Sequence, residues 1–218
     1  MSRPLSAKRW QQGGLYAITD ATLTPAATLC EQVAAVLNGG AVMIQYRDKE
    51  TPTPQRRQQA AALVKLCEAR QTPLIINDDL ELAAAVGAAG VHLGRDDSDI
   101  ATARARLGAD AIIGVSCYNR LDLAVAAAAA GADYLAFGSF YPSATKPQAV
   151  RATSELLSHA RAQFDLPLVA IGGINAENGR PLMAAGADLL AVITALFANP
   201  DPEAAARAFA YLNPNKSP

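Results

Sequence analysis

Short apolar runs alternate along the whole chain with longer alanine-rich stretches. The runs are rich in Val, Ile and Leu and lie at residues 15–19, 41–46, 74–77, 90–93, 111–115, 133–137, 166–171 and 188–193. Runs of this length and composition are typical of buried strands, and the stretches between them are long enough for helices. The alternation therefore predicts repeated βα units around a parallel sheet.

The spacing of these runs is regular and selects one architecture. From residue 15 to residue 188 their starts advance by 173 residues over seven steps, about 25 each, which is the spacing of a compact (β/α)₈ barrel. A doubly wound open sheet is the alternative, but its GxGxxG motif is absent, as are a Walker A loop and a GxSxG elbow. We predict an α/β fold with one domain, a (β/α)₈ TIM barrel over residues 15–213, preceded by a loose N-terminal arm at residues 1–14.

Composition narrows the classes of partner. The 218 residues carry a net charge of -1, and 51% of them are hydrophobic, so a globular core is expected without a field that would gather nucleic acid or an anionic membrane. No apolar stretch approaches the roughly 20 residues of a membrane span. Three scattered cysteines (Cys30, Cys67 and Cys117) argue against a disulfide framework and favour a reducing, cytoplasmic location. We expect small-molecule partners, no nucleic acid and no membrane, and a homo-oligomer stays possible.

Cationic residues follow the second predicted strand. In a barrel of this kind, chemistry belongs at the carboxyl ends of the strands. Strand alternation places Gln45, Arg47 and Lys49 on one face, and Tyr46 and Asp48 on the other. A surface patch of ion pairs is the alternative interpretation, but two cations directed into one mouth indicate an anion site.

Carboxylates follow the third and fourth predicted strands. Asp78 and Asp97 would reach the same rim, and Mg²⁺ is typically held by one or two carboxylates together with phosphate oxygens of the substrate. Taken singly, each acid also has a structural interpretation. Asp79 could cap the following helix, and Asp96, Asp97 and Asp99 could complement a helix dipole. As a set, the acids predict a metal site.

Nucleophilic and zinc chemistry find less support in the sequence. Ser116 ends the fifth strand and can donate a hydrogen bond to a ligand, whereas Cys117 next to it is expected to pack in the core. A reactive thiolate would need a base, and the chain has only His92, expected to be structural rather than a general base, and His159, inside a predicted helix. No zinc-ligand spacing is present.

A second anion site is expected across the mouth. The loop 137–147 carries Ser143, Thr145 and Lys146 between prolines; it is interpreted as a ligand-contacting loop rather than a plain connection. The glycines of residues 171–175 and the segment Ile193-Thr194 follow the seventh and eighth strands, where backbone N–H groups commonly hold a phosphate. Two phosphate-bearing substrates, one with a metal, are therefore implied.

Six strings in order along the strand ends carry a family resemblance. They are residues 45–49, 77–79, 90–94 with Asp97, 114–116, 142–146 and 171–174. Together they closely resemble the thiamine-phosphate synthase (thiamine-phosphate pyrophosphorylase) family over about residues 15–197. The resemblance implies a transferase that joins hydroxymethylpyrimidine diphosphate to thiazole phosphate, releases diphosphate, yields thiamine monophosphate and requires Mg²⁺.

The resemblance also assigns roles by position. It implies Asp78 and Asp97 as metal ligands. The catalytic residues that it implies are Arg47, Lys49, Ser116 and Lys146. The substrate-binding residues that it implies are Gln45, Tyr46, Arg47, Asp48, Lys49, Asn77, Ser116, Ser143, Ala144, Thr145, Lys146, Gly173, Ile193 and Thr194. The chain departs from the family at Arg95, where a neutral Gln is usual, and at Ser143, where many members have Thr.

Three other functions remain open at this point. A thiazole tautomerase-like paralogue shares the barrel but would not need the full set of cations and carboxylates. A Schiff-base aldolase would use the amine of Lys49 or Lys146. A non-catalytic barrel would bind a phosphometabolite without turnover.

Overall fold

The computed structural model describes residues 5–94, 97, 99–142, 150–210 and 212. Within these residues, parallel strands β1 to β8 pair in sequence order, and β8 closes on β1. The strands are β1 (Gly14–Ile18), β2 (Met43–Tyr46), β3 (Leu74–Asn77), β4 (Gly90–Leu93), β5 (Ile112–Tyr118), β6 (Tyr134–Gly138), β7 (Leu168–Ile171) and β8 (Leu189–Val192). The predicted (β/α)₈ barrel is confirmed, and each strand overlaps its predicted run.

Helices surround the barrel; in the described residues, seven lie between successive strands and two follow β8. They are α1 (Leu29–Asn38), α2 (Thr53–Ala69), α3 (Leu80–Val86), α4 (Ile100–Leu107), α5 (Leu121–Ala129), α6 (Ser154–Gln163), α7 (Gly179–Ala184), α8 (Thr194–Phe197) and α9 (Pro202–Ala210). In the described part of the chain, no helix is both long and apolar enough to cross a bilayer.

Two hydrophobic clusters follow from strand alternation. In β1, Leu15 and Ala17 pack outward against the helices, whereas Tyr16 and Ile18 point into the barrel. Because both faces of the strands are covered, nearly every strand residue is apolar, which is why the strands appear as continuous apolar runs in the sequence. The interior cluster fills the barrel below its mouth.

The N-terminal segment closes the bottom of the barrel. Residues Leu5–Gln12 form a 3-10 helix, and the Trp10 side chain is 3% exposed within the interior cluster. Its ring meets the ring of Tyr134 edge-on, with centroids 6.1 Å apart. The expected loose arm is therefore wrong for Trp10, because burying an indole in the open end of the barrel removes a large apolar surface from water.

Candidate functional site

A cavity of about 830 Å³ opens at the carboxyl ends of the strands. Its wall includes residues from each of the eight described strands, as the barrel geometry requires. Among the predicted site residues, the cavity brings together Gln45, Arg47, Lys49, Asn77, Asp78, Asp97, Ser116, Gly173, Ile193 and Thr194. Residues far apart in sequence thus share one solvent-accessible space.

The cationic wall is anchored to neighbouring strand ends. The backbone N–H of Arg47 donates to Thr19 Oγ1 at 2.9 Å, and the Arg47 guanidinium lies 3.7 Å from Asp20 Oδ2. Lys49 Nζ lies 2.7 Å from Asp78 Oδ2. The ion pair holds the Lys49 side chain at the cavity wall, where a cationic group suits anion binding.

Asp78 and Asp97 meet at the rim beside this wall. Asp78 has a positive φ of 62°, and its backbone N–H donates to the carbonyl of His92 on the neighbouring strand. Its carboxyl interacts with that of Asp97, which also accepts the backbone N–H of Gly94. The tertiary structure thus places two carboxyl groups in direct contact in a half-buried position.

The two carboxyl groups differ in pKa. Burial alone would raise the pKa of Asp78, but the hydrogen bond and charge of Lys49 bring it below its usual value. Burial and then the adjacent Asp78 carboxylate raise the pKa of Asp97, against the opposing Gly94 N–H. Two carboxyl groups this close are stabilised by a shared proton or by a cation, and an all-oxygen pair fits Mg²⁺. No described group of three or more His, Cys, Asp and Glu forms a metal cluster.

A buried chain of polar side chains crosses the barrel beneath the cavity. Gln45 Nε2 donates to Tyr16 Oη at 2.7 Å, and Tyr16 Oη lies 2.9 Å from Tyr134 Oη. His92 Nδ1 lies 2.9 Å from Tyr134 Oη, and His92 Nε2 lies 2.9 Å from Ser116 Oγ. Both ends of the chain, Gln45 and Ser116, line the cavity, and so does His92.

The opposite wall is built from backbone after β7 and β8. Gly173 has a φ of 62°, and a Cβ there would lie 2.3 Å from the carbonyl oxygen of Pro142, so only glycine fits. Ile193 precedes the short helix α8, whose first residue is Thr194. This wall supplies backbone groups and a hydroxyl and is well separated in sequence from the cationic wall.

Two predicted binding residues lie away from the cavity. Among the described residues, its lining includes neither Tyr46 nor Asp48. Tyr46 Oη donates to Gln59 Oε1 at 2.5 Å, on helix α2, and Asp48 accepts the backbone N–H groups of Glu50 and Thr51. Strand alternation directs both side chains outward, as the sequence pattern of this segment predicts.

Two of the remaining acids cap helices, and several predicted site residues lie outside the described residues. Asp79 accepts the N–H of Leu82 and caps α3, and Asp99 accepts the N–H of Thr102 and caps α4, so their structural interpretations are confirmed. Ser143, Ala144, Thr145 and Lys146 lie outside the described residues, as do Arg95 and Asp96.

The sequence pattern indicates Gln45 and Ser116 as site residues but gives no site role to Tyr16, Tyr134 and His92, the other members of the buried chain. Tyr16 and Tyr134 read as ordinary apolar strand residues, and His92 was expected to be structural. A signal did exist, because Tyr16, Gln45 and His92 are polar side chains within otherwise apolar runs. The cavity wall also includes Tyr118 and Ser139, at the ends of β5 and β6.

Comparisons with known proteins place the chain in one family. Residues 15–196 match the family model described as thiamine monophosphate synthase. The thiamine-phosphate synthase of Thioalkalivibrio sulfidiphilus is 54% identical over 197 residues, which is 90% of this chain and 93% of that protein. The thiamine-phosphate synthase of Methylobacillus flagellatus is 56% identical over 196 residues, which is 90% of this chain and 93% of that protein.

A solved structure gives the same result. Thiamine phosphate pyrophosphorylase from Pyrococcus furiosus superposes with a TM-score of 0.83 at 34% identity, covering 94% of this chain and 97% of that chain. With the family model spanning most of the barrel, the chain belongs to the thiamine monophosphate synthase family of transferases.

Proposed function

We propose that the chain transfers the hydroxymethylpyrimidine group from its diphosphate to thiazole phosphate and releases diphosphate and thiamine monophosphate. One observation carries the proposal: Arg47, Lys49, Asp78 and Asp97 all line one cavity with the backbone cradle at Gly173. The four charged side chains suit a diphosphate with a metal ion, and the backbone at Gly173 suits a single phosphate. The relatives that bear the name thiamine-phosphate synthase support the same activity.

The cationic wall would hold the leaving group. The Arg47 guanidinium and the Lys49 ammonium, with Lys146 as the resemblance implies, bind diphosphate oxygens and stabilise the negative charge that grows as the C–O bond to the pyrimidine methylene breaks. Asn77, at the end of β3, lies beside them and can donate an amide hydrogen. Charge stabilisation at this wall is the main contribution of the protein to the barrier.

Asp78 and Asp97 would hold Mg²⁺, since their two carboxyl groups meet at the rim. When bound, the ion supplies further neutralisation of the diphosphate charge. The chain's own residues orient the two reactants. Gln45 and Ser116 hold the pyrimidine, and Gly173, Ile193 and Thr194, with Ser143 and Thr145, hold the thiazole phosphate.

The chemistry that follows needs no protein nucleophile. Loss of diphosphate leaves a pyrimidine methyl cation stabilised by resonance, and the thiazole nitrogen supplies the electron pair for the new C–N bond. Burial raises the pKa of the Cys117 thiol to about 12 and keeps it protonated, which disfavours thiolate catalysis. A Schiff base at Lys49 is disfavoured because its amine is paired with Asp78. These reactants and the reduced cysteines suit the cytoplasm.

A two-substrate assay tests the proposal. The purified chain is incubated with hydroxymethylpyrimidine diphosphate and thiazole phosphate, with and without Mg²⁺, and thiamine monophosphate is measured. We expect product only with the metal. Asp97→Ala should lose several kcal/mol of transition-state stabilisation, roughly 10²- to 10⁴-fold and mainly in kcat.

A surface acid provides the matched control. Asp122 pairs with Arg120 on the exposed face of α5, so Asp122→Ala removes a carboxylate without touching the cavity. We expect its turnover to equal that of the unaltered chain. Unchanged turnover of Asp97→Ala at saturating Mg²⁺ would refute the metal assignment, and a folded chain that forms no thiamine monophosphate would refute the function.

A further inference from the structure

The buried chain beneath the cavity has a feature that follows from counting hydrogens. Each tyrosine hydroxyl has one proton to donate, and a neutral imidazole carries a proton on one nitrogen only. Tyr134 Oη has two neighbours in the chain, Tyr16 Oη and His92 Nδ1, both at 2.9 Å. It can donate to one of them and must accept from the other. The chain therefore has a direction.

The orientation of the Gln45 amide sets that direction. Gln45 Nε2 donates to Tyr16 Oη, so the Tyr16 proton passes to Tyr134 Oη. For a neutral His92 ring, this order requires the Tyr134 proton to point at His92 Nδ1 and the imidazole to carry its proton on Nε2 and donate it to Ser116 Oγ. The Ser116 hydroxyl proton remains for the cavity. With the amide reversed, every bond in the chain reverses as well.

The consequence is a matched pair of groups on the cavity wall. With Gln45 Nε2 as the donor to Tyr16 and a neutral His92 ring, Gln45 keeps its carbonyl oxygen as an acceptor and Ser116 keeps its hydroxyl proton as a donor. An amino-substituted nitrogen heterocycle presents the complement, an N–H donor beside a ring nitrogen acceptor. A ring with an oxo group and a protonated ring nitrogen presents the reverse arrangement.

Tyr134 is built into the barrel so that its hydroxyl cannot move aside. The side chain is fully buried, and its ring stacks on the His92 ring at 5.7 Å and meets the Tyr16 ring edge-on at 5.9 Å. The ring also occupies the space beside Gly114, where a Cβ would lie 1.8 Å from Tyr134 Cζ. Burial raises the pKa of both tyrosines, so both hydroxyls stay protonated.

We propose that Tyr134 is a positioning residue: through Tyr16 and His92, its hydroxyl fixes the acceptor at Gln45 and the donor at Ser116, and so selects an aminopyrimidine ring over its oxo analogue. The hydrogen-bonded chain from Gln45 to Ser116 does not depend on the reaction. Only the identity of the ring rests on the proposed function.

The first test reads the direction of the chain without any turnover. The protein has two histidines, His92 and His159, so a spectrum of ¹⁵N-histidine-labelled protein is simple, and His159→Gln assigns it. We expect His92 to show an unprotonated Nδ1 and a protonated Nε2. A His92 protonated at Nδ1 in the unaltered protein would overturn the proposal.

The second test removes the hydroxyl and keeps the ring. In Tyr134→Phe we expect a mixture of His92 tautomers and a 10- to 100-fold lower kcat/KM for the aminopyrimidine diphosphate, since a site built to hydrogen-bond a group loses discrimination when its partners are left unpaired. The KM for thiazole phosphate should stay within about twofold, because the chain ends on the pyrimidine side only. The preference for the amino ring over the oxo ring should fall by a similar factor.

Two further variants separate positioning from a general loss of stability. Tyr16→Phe cuts the link through which Gln45 sets the direction and leaves the bonds from Tyr134 to Ser116, so it should lower the amino preference and give a mixture of His92 tautomers. Tyr141→Phe removes a hydroxyl that donates to the Asn178 carbonyl oxygen at 2.9 Å, outside the chain, and should change neither readout. Should Tyr134→Phe fail to fold, Tyr16→Phe and the His92 spectrum decide.

The outcomes are distinct from those of the proposed function. A Tyr134→Phe protein with the original tautomer and amino preference would overturn the positioning role, even in an active enzyme. If the unaltered chain made no thiamine monophosphate, the proposed function would fall. The His92 spectrum, recorded with 4-aminopyrimidine as the binding probe, would still support or overturn the proposed direction of the hydrogen bonds from Gln45 to Ser116.

Discussion

Replacing Gly114 by alanine tests the packing that holds Tyr134 in the barrel. A Cβ at Gly114 would lie 1.8 to 2.3 Å from three ring atoms of Tyr134, so the ring must move. Overpacking of this kind costs about 1–3 kcal/mol, and loss of the two hydroxyl hydrogen bonds adds about 1 kcal/mol each. We expect Gly114→Ala to lower the free energy of unfolding by about 3–5 kcal/mol.

A second glycine supplies the matched control for this substitution. Gly87 has a φ of 66°, and no described atom lies within 4 Å of a Cβ built there. Gly87→Ala therefore incurs only the left-handed backbone penalty, about 1–2 kcal/mol. Both substitutions stiffen the unfolded chain equally, so that contribution cancels when the two are compared.

Urea unfolding followed by tryptophan fluorescence measures both variants. The chain has one tryptophan, and Trp10 contacts the Tyr134 ring, so the signal reports the affected region directly. In a double-mutant cycle, Gly114→Ala combined with Tyr134→Leu should cost less than the sum of the single changes, because the shorter side chain relieves the overlap. If Gly114→Ala were no more destabilising than Gly87→Ala, the result would contradict the close packing of the Tyr134 ring against Gly114.

Three further outcomes are expected. Trp10→Ala should lower the free energy of unfolding by about 3–5 kcal/mol in the same urea assay, since the indole is 3% exposed; a loss below about 1 kcal/mol would contradict its closing role. Burial alone would raise the pKa of Asp48, but backbone N–H groups of the following turn lower it. The Asp48 carboxylate therefore stabilises the folded state above the pKa of an unfolded-state aspartate, near 4, and this stabilisation is lost as pH falls. The stability gap between the unaltered chain and Asp48→Ala should thus be full at pH 6 and shrink below about pH 4, whereas a gap that grows in acid would contradict this sign. Exposed Cys30 should react rapidly with a thiol reagent at pH 8, while buried Cys67 and Cys117, whose pKa values are raised to about 12 by burial, should react only on unfolding. Rapid labelling of two thiols would contradict this burial pattern.

Strand alternation explains why one part of the site was predictable from sequence. Gln45, Arg47 and Lys49 are spaced two residues apart, so their shared face follows from local geometry alone. The same rule places Tyr46 and Asp48 outside the cavity, although the family resemblance implies them as binding residues. Where the periodic pattern and the resemblance differ, the side-chain positions follow the pattern.

The Trp10 segment and the buried polar chain were not predictable in the same way. Nothing in the polar residues around Trp10 indicates that the indole enters the barrel, since that depends on the open end left by eight closed strands. Tyr16 and Tyr134 are 118 residues apart, and each looks like a strand residue until the barrel brings their hydroxyls to 2.9 Å.

The sequence by itself determined the number and order of the strands, the barrel class and the rim on which the cations and carboxylates stand, because periodicity and spacing are local properties of the chain. Only the tertiary structure decided which of those groups touch: the Lys49–Asp78 ion pair, the meeting of the Asp78 and Asp97 carboxyls, and the path from Gln45 to Ser116. Closure of the barrel sets the distances between strands that are remote in sequence, and hydrogen bonds and pKa values depend on those distances.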